Sequence, residues 1–218
     1  MLKKGCFITL EGGEGSGKST QLQKLADRLR SHGNREVIAT RSPGGTDIAE
    51  TIRNILKTRN QKEDLLPESE LLLFGVCHSQ MSEKLIRPAL ERGAVLLSDR
   101  FYDSTLVYQG YARGLSKDFV RMVNDFSCRH LKPDLTLILD LPPELGCQRA
   151  NIRAGNSASV QQDRFDSETM DFHQKVRNGF LDLARLEPER FCVIDASGTE
   201  DQVHQLIVEA VHAKLGIL

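Results

Sequence analysis

Three features of the chain point to an α/β architecture, an open parallel sheet with helices on both faces. Short, nearly continuous apolar runs alternate with longer segments whose apolar residues fall at helical spacing. The runs show little polar alternation, as expected of parallel strands covered on both sides. The first run turns through a cluster of glycines directly into a helical pattern.

The elements follow in order. Cys6-Phe7-Ile8-Thr9-Leu10 is the first strand, and Leu22, Leu25, Ala26 and Leu29 mark the first helix. Residues 37–40 form a short strand that ends in Arg41-Ser42-Pro43-Gly44-Gly45-Thr46, a loop dense in turn residues. Ile48, Ile52, Ile55 and Leu56 mark a helix, and Pro67 opens another that carries Leu71, Leu72, Phe74 and Gly75. Residues 85–92 continue as helix up to Gly93. Ala94-Val95-Leu96-Leu97-Ser98 is a buried strand, with Asp99-Arg100-Phe101 at its carboxyl end. Phe119, Met122, Val123 and Phe126 make an amphipathic helix, and residues 135–139 a further strand closed by Asp140 and two prolines. Residues 145–153 are helical, whereas 154–162 lose all periodicity. Phe172, Val176 and Phe180 restart a helix, Phe191-Cys192-Val193-Ile194 is the last strand, and Val203, Ile207 and Val211 lie on the last helix. At 218 residues, with no repeat or low-complexity linker, the chain reads as one domain over 1–218.

Composition narrows the function classes. Lys+Arg 29 against Asp+Glu 30 gives a net charge of −1, and no sustained basic face speaks for a nucleic-acid partner. Cys6, Cys77, Cys128, Cys147 and Cys192 are odd in number and form no C-x-x-C pair, so core thiols in a reducing, cytoplasmic compartment are expected. The apolar run after Met1-Leu2-Lys3-Lys4 stops at Glu11, too short for a secretory signal or a membrane span, so no membrane partner is expected.

Gly12-Gly13-Glu14-Gly15-Ser16-Gly17-Lys18-Ser19, followed by Thr20, fits the phosphate-binding pattern G-x-x-x-x-G-K-[ST] in its proper strand-to-helix context. Such a turn points several backbone N–H groups at one spot, where the helix N-terminus adds partial positive charge, so a polyphosphate is held. Lys18 reaches the β- and γ-phosphates of a bound nucleoside triphosphate, and Ser19 offers a ligand to Mg²⁺. The loop alone is shared by GTPases, ATPases and kinases. No N-K-x-D sequence is present to read guanine, and neither Asp99-Arg100 nor Asp140-Leu141 is the Asp-Glu strand end of an ATPase module. Asp99, at a strand's carboxyl end, suits hydrated Mg²⁺, and Arg100 beside it suits a second phosphate group. Two facing anion sites belong to a small-molecule kinase, not to a nucleotide-driven switch.

Asp99-Arg100-Phe101-Tyr102-Asp103-Ser104-Thr105-Leu106-Val107-Tyr108-Gln109-Gly110 resembles the signature of thymidylate kinases. The resemblance extends to residues 41–46, Leu71-Leu72-Leu73-Phe74, Leu139-Asp140 and Asp163-Arg164-Phe165-Asp166. It implies a P-loop nucleoside monophosphate kinase fold, transfer of the ATP γ-phosphoryl group to dTMP in dTTP biosynthesis, and a homodimer. The alternative is a kinase of the same fold for another or broader set of nucleoside monophosphates. By the same resemblance, Arg41 and Arg100 grip the dTMP phosphate and Glu14 accepts from the 3′-hydroxyl. Phe74 stacks on thymine, Ser104 and Thr105 face the base edge, Tyr108 walls off the 2′ position, and Gln109 lies nearby. Gly15 stands where some relatives carry a P-loop arginine, so the resemblance is to the bacterial type, whose arginines come from a lid. That lid spans about 149–166, with Arg153 the expected transition-state contact and Arg149 and Arg164 its supports. Two residues depart from the family pattern: Ser42, in place of a glutamate, and His78, in place of a base-reading arginine; His78 is the candidate base contact there, one that would depend on pH through its imidazole.

Overall fold

The structure is a computed structural model and describes residues 5–58, 63–155, 164–165 and 168–217. Five parallel strands form one sheet: β1 (Cys6–Glu11), β2 (Val37–Arg41), β3 (Val95–Asp99), β4 (Leu135–Asp140) and β5 (Phe191–Asp195), in the order β2-β3-β1-β4-β5. Every residue of β1 is buried, and so are the first four of β3 and the first five of β4, which is why these segments read as unbroken apolar runs. The register pairs Leu10 with Asp99 and Asp99 with Arg41. Glu11, Arg41 and Asp99 therefore end their strands side by side, at the carboxyl edge where ligands of such sheets sit.

The helices α1 (Lys18–His32) and α9 (Glu200–Leu215) cover one face, where Leu25, Ala26, Ile207 and Val211 pack on Ile8, Leu97 and Leu137. On the other face Val176 and Phe180 of α8 (Met170–Leu186) pack on Ile138 and Phe191, and Phe7, Leu96 and Phe101 form a second cluster with Met81 and Ile86. Caps define several ends. Thr46 accepts from Ala49 at the start of α2 (Asp47–Lys57), Thr169 from Phe172 ahead of α8, and Thr199 forms a reciprocal box with Gln202 ahead of α9.

Two stretches depart from plain α-helix. Pro67 does open α3 (Pro67–Met81), but the rod passes through a π-helical turn at Ser82–Ile86 before α4 (Arg87–Glu91). Pro88 has no N–H to donate there, so the regular ladder cannot continue. A second π-helical segment, Leu106–Ala112, follows the single-turn α5 (Tyr102–Thr105) and carries Tyr108 and Gln109.

The apolar residues that mark α6 (Lys117–Cys128) divide between two sides. Phe119, Met122 and Phe126 are exposed, Phe126 at 84%, while Val123 packs against the core beside Val120. The helix α7 (Pro143–Gly155) runs two residues further than its pattern suggested, so the first part of the expected lid is its last two turns. The aperiodic stretch beyond it lies mostly outside the described residues. Among the described residues no helix is long and apolar enough to cross a membrane. Cys77 joins Cys6 and Cys128 in the interior, while Cys147 and Cys192 are only half-buried.

Candidate active site

The glycine loop between β1 and α1 is closed on itself. Lys18 Nζ donates to the Gly13 carbonyl at 2.7 Å and to Ser16 Oγ at 3.2 Å, and Ser16 Oγ donates to the same carbonyl at 2.9 Å. Burial and the nearby Arg100 charge push the Lys18 ammonium down to about 8, against the pull of Glu14 and Asp99. Ser19 Oγ donates to Asp99 Oδ2 at 2.5 Å. This hydroxyl–carboxylate pair across the strand ends offers hard oxygens, suited to a Mg²⁺ that keeps waters and phosphate oxygens as its other ligands.

Arg100 sits at the end of β3 with φ 69°, a left-handed conformation that a non-glycine residue holds only when its surroundings enforce it. Its N–H donates to the Leu10 carbonyl at 2.9 Å, and its own carbonyl accepts from Ser98 Oγ at 2.7 Å. The next N–H, on Phe101, donates to Glu11 Oε1 at 2.8 Å. The guanidinium donates to Glu14 Oε1 at 2.7 Å, Tyr108 Oη at 3.0 Å and Ser104 Oγ at 2.9 Å, and lies 5.0 Å from the Tyr108 ring centre. Tyr108 Oη donates to Glu14 at 2.9 Å, and Ser104 Oγ to Glu11 Oε2 at 2.6 Å.

The two acidic residues of this cluster respond in opposite ways. Burial, reinforced by Asp103, raises the Glu11 carboxyl to about 8 despite Arg100. Burial also works to raise Glu14, but Arg100 and Lys18 outweigh it and hold that carboxyl near 2. Glu14 is therefore the ionised partner of the cationic centre, and Glu11 a buried acid beneath it.

One cleft of about 530 Å³ gathers these groups. Its walls include Lys18, Ser19, Thr20, Glu14, Arg41, Asp99, Arg100, Phe74, Thr105, Tyr108, Gln109 and Arg149. Of the loop positions, Gly15 and Gly17 line it too. Gly12, Gly13 and Ser16 shape the turn: Gly12 takes φ 139°, Gly13 supplies the carbonyl that holds Lys18, and Ser16 is buried. Gly15 takes φ 68° and lies so close to α7 that a Cβ there would meet the Gly146 carbonyl oxygen at 2.1 Å. A side chain here would force the loop and α7 apart, at a φ that favours glycine.

Three predicted residues stand differently from the expectation. His78 neither lines the cleft nor faces solvent. It is fully buried behind Phe74 and Phe101, with ring centres 6.3 and 5.1 Å away, and neither ring nitrogen has a partner among the described residues. Burial alone drives its imidazole down to about 3, so it is neutral at pH 6–8 and cannot confer the pH-dependent base contact its position suggested. The Ser104 hydroxyl is engaged between Glu11 and Arg100 and is not free to face a base. Arg164 holds the buried Glu70 carboxylate and the Leu56 carbonyl, the latter at 3.2 Å, and is not among the residues that wall the cleft.

Of the other arginines, Arg149 donates to the Ala196 and Ser197 carbonyls at 3.0 and 3.2 Å while lining the cleft. Arg153 belongs to α7, but its side chain lies outside the described residues, as do Asp163 and Asp166. Arg41 is exposed and reaches Glu50 at 2.9 Å, so Glu50 takes up the acidic support that Ser42, itself buried, does not supply.

A sequence profile of thymidylate kinases matches residues 10–207. The chain belongs to the thymidylate kinase family. A thymidylate kinase of Syntrophotalea carbinolica is 49% identical over 197 residues, covering 90% of each chain. One from Desulfosudis oleivorans is 48% identical over 206 residues, covering 94% of this chain and 95% of the relative. The crystal structure of the Ehrlichia chaffeensis thymidylate kinase superposes with a TM-score of 0.74 at 32% identity, over 95% of this chain and 99% of that one.

Three residues of this thymidylate kinase site had escaped the sequence reading. Arg53 lines the cleft and donates to the Pro43 carbonyl at 2.7 Å. Glu11 had read merely as the polar stop of a strand. Glu70 lies one helical turn before Phe74, which was the available signal.

Proposed function

We propose that the cleft holds ATP and dTMP end to end, with the reacting phosphoryl group between Lys18 and Arg100. The enzyme is an ATP-dependent dTMP kinase and makes dTDP, a step toward dTTP; family membership supports this over a kinase for other monophosphates. The observation that carries the residue roles is the pairing of two cationic centres, Lys18 of the glycine loop and Arg100 of β3, across Glu14 in a single cleft. A switch protein needs the first centre only.

On this reading Gly12 to Thr20 surround the ATP phosphates, and Lys18 neutralises charge on the β- and γ-groups. Ser19 and Asp99 would hold Mg²⁺, which would screen the phosphate oxygens. Arg100 and Arg41 take the dTMP phosphate, each giving up in part an existing carboxylate partner, Glu14 or Glu50. Glu14, released in this way, accepts from the sugar 3′-hydroxyl, and Tyr108 closes the 2′ side. Phe74 stacks on the base while Thr105 and Gln109 meet its polar edge. Arg149, which lines the cleft, and Arg153, one turn further along α7, supply the cations that stabilise charge spread over the equatorial oxygens of the transferring group.

The exposed residues Leu72 and Val76 of α3 and Phe119, Met122 and Phe126 of α6 support a homodimer, since α3 and α6 pack together. Five scattered cysteines, three of them buried, accord with a reducing, cytoplasmic setting. The test of function is coupled ADP release with ATP alone, then with dTMP, dUMP, dCMP, dAMP and dGMP in turn. Turnover that does not depend on dTMP would overturn the assignment.

A further inference from the structure

The loop that carries Arg41 is held in place by α2. Glu50, in the first turn of that helix, divides its carboxylate between two donors. Its Oε1 accepts from the Gly45 N–H at 3.0 Å and its Oε2 from the Arg41 guanidinium at 2.9 Å. Three residues on, Arg53 donates to the Pro43 carbonyl at 2.7 Å. One helical face thus ties down a strand end, a loop N–H and a loop carbonyl. Glycine at 44 makes room for this: a Cβ there would lie 2.6 Å from Glu50 Oε1. Burial works to raise the Glu50 carboxyl, but the Gly45 N–H and Arg41 outweigh it and hold it below its ordinary value. Arg41, Pro43 and Arg53 wall the cleft, and Glu50 does not.

This ion pair does little for the fold. The two side chains are 53% and 42% exposed, and pairs so open to water add little stability. Its effect falls on the arginine. A long exposed side chain visits many rotamers, and freezing it when a ligand binds costs free energy. Glu50 restricts it beforehand. A guanidinium has five N–H groups in a planar fork, so a hold on one side leaves others to meet a phosphate. Glu50 also sets a negative charge beside an anion site, which opposes the phosphate. Water screens that repulsion, since both groups are half exposed, whereas the gain from preorganisation is not screened.

We propose that Glu50 is a positioning residue for the acceptor nucleotide: it holds Arg41 and its loop in the arrangement that takes the dTMP phosphate. Glu50 never touches the substrate; it acts through Arg41. The inference rests on the reading of Arg41 as a dTMP-phosphate contact, and it adds to that reading the residue that prepares the contact.

Glu50→Gln keeps an acceptor for the Gly45 N–H and removes the charge that holds Arg41. The calorimetric Kd for dTMP, and the inhibition constant of thymidine as a competitor that lacks the phosphate, separate positioning from a general structural role. Glu50→Gln should weaken dTMP about 3–10-fold, the worth of immobilising one long side chain. Thymidine inhibition, KM for ATP and the melting temperature should stay as in the parent. Arg41→Ala should weaken dTMP further, and adding Glu50→Gln to it should change nothing more. Equal losses for dTMP and thymidine would make Glu50 a structural residue and overturn the proposal. An unchanged or tighter dTMP affinity in Glu50→Gln, or an additive double variant, overturns it as well, while the role of Arg41 stands if Arg41→Ala alone weakens dTMP. An Arg41→Ala enzyme that binds dTMP like the parent overturns the reading of Arg41 itself, and the inference with it.

Discussion

Lys18 and His78 show how far a single buried group can be read from its neighbours. Lys18 is engaged by its own loop through Gly13 and Ser16, so removing its side chain leaves the sheet and core untouched. Lys18→Ala should lower turnover at least ~10²-fold, the scale of losing one preorganised stabiliser of phosphoryl charge, with little change in melting temperature. Normal turnover in the folded variant would contradict its role. A pH effect follows as well: with Lys18 held near 8 in the free enzyme, ATP affinity should weaken as pH rises beyond 8, where the ammonium deprotonates. Isothermal titration across pH 7–9, parent against Lys18→Ala, checks this. His78 has the opposite character. Two unpartnered ring nitrogens in an aromatic setting are a cost, and His78→Leu should be neutral or stabilising by ~1 kcal/mol. Its folded value near 3 lies below the unfolded value of 6.5, so the parent loses stability as pH falls from 6.5 toward 3. The gap between variant and parent in urea unfolding should therefore widen from pH 7 to pH 5; a constant gap would place the imidazole in a polar environment.

At the scale of elements, the strands and the glycine loop were legible because their causes are local. An apolar run between turn residues has few alternatives, and the eight-residue glycine loop from Gly12 to Ser19 leaves almost none. The outward face of α6 was not legible, since spacing reports that Phe119, Met122 and Phe126 share a side but not what covers it. Phe126→Glu should weaken self-association in sedimentation analysis while leaving the monomer's melting behaviour intact, because the ring makes little contact within the chain; an unaffected oligomer would remove α6 from the interface. The Glu11–Ser104–Arg100 relay was hidden for a related reason, since it depends on partners some 90 residues apart, Ser104 and Glu11. The junction of loop and α7 gives a sharper test. Gly15→Ala forces a Cβ onto the Gly146 carbonyl at a left-handed position, a change that costs ~1–3 kcal/mol in strain alone. It should also raise KM for ATP, since α7 carries Arg149, which lines the same cleft as the glycine loop. Arg153→Ala, from the same helix, should reduce kcat far more than it weakens dTMP binding; a change confined to KM for dTMP would make it a binding residue.

The whole molecule places three strand ends at one edge of a nearly neutral domain, so its response to pH is set by a few buried groups and not by net charge. Glu11 lies beneath the centre of that edge, and its carboxyl is raised from 4.5 to about 8, chiefly by burial and then by Asp103. A carboxyl raised on folding binds its proton more tightly in the native state. The native state is thus favoured below pH 4.5, and this advantage is lost as pH rises through 8. His78 works in the reverse sense between 3 and 6.5, and Glu14, held near 2, between 2 and 4.5. Lys18 changes stability only above about 8. The interval from pH 6.5 to 8 therefore belongs to Glu11 among these groups. Each raised group lowers stability by at most about 1.4 kcal/mol per pH unit there, so the parent should lose on the order of 2 kcal/mol across the interval. Glu11→Gln keeps an acceptor for the Phe101 N–H and removes the titrating proton, so it should flatten that slope while preserving the fold. Because the same carboxyl accepts from Ser104, which in turn receives Arg100, the variant should also raise KM for dTMP more than KM for ATP. Urea unfolding at pH 6.5, 7.2 and 8.0 makes the comparison, and an equal slope in parent and variant would show that Glu11 carries no titrating proton in this range.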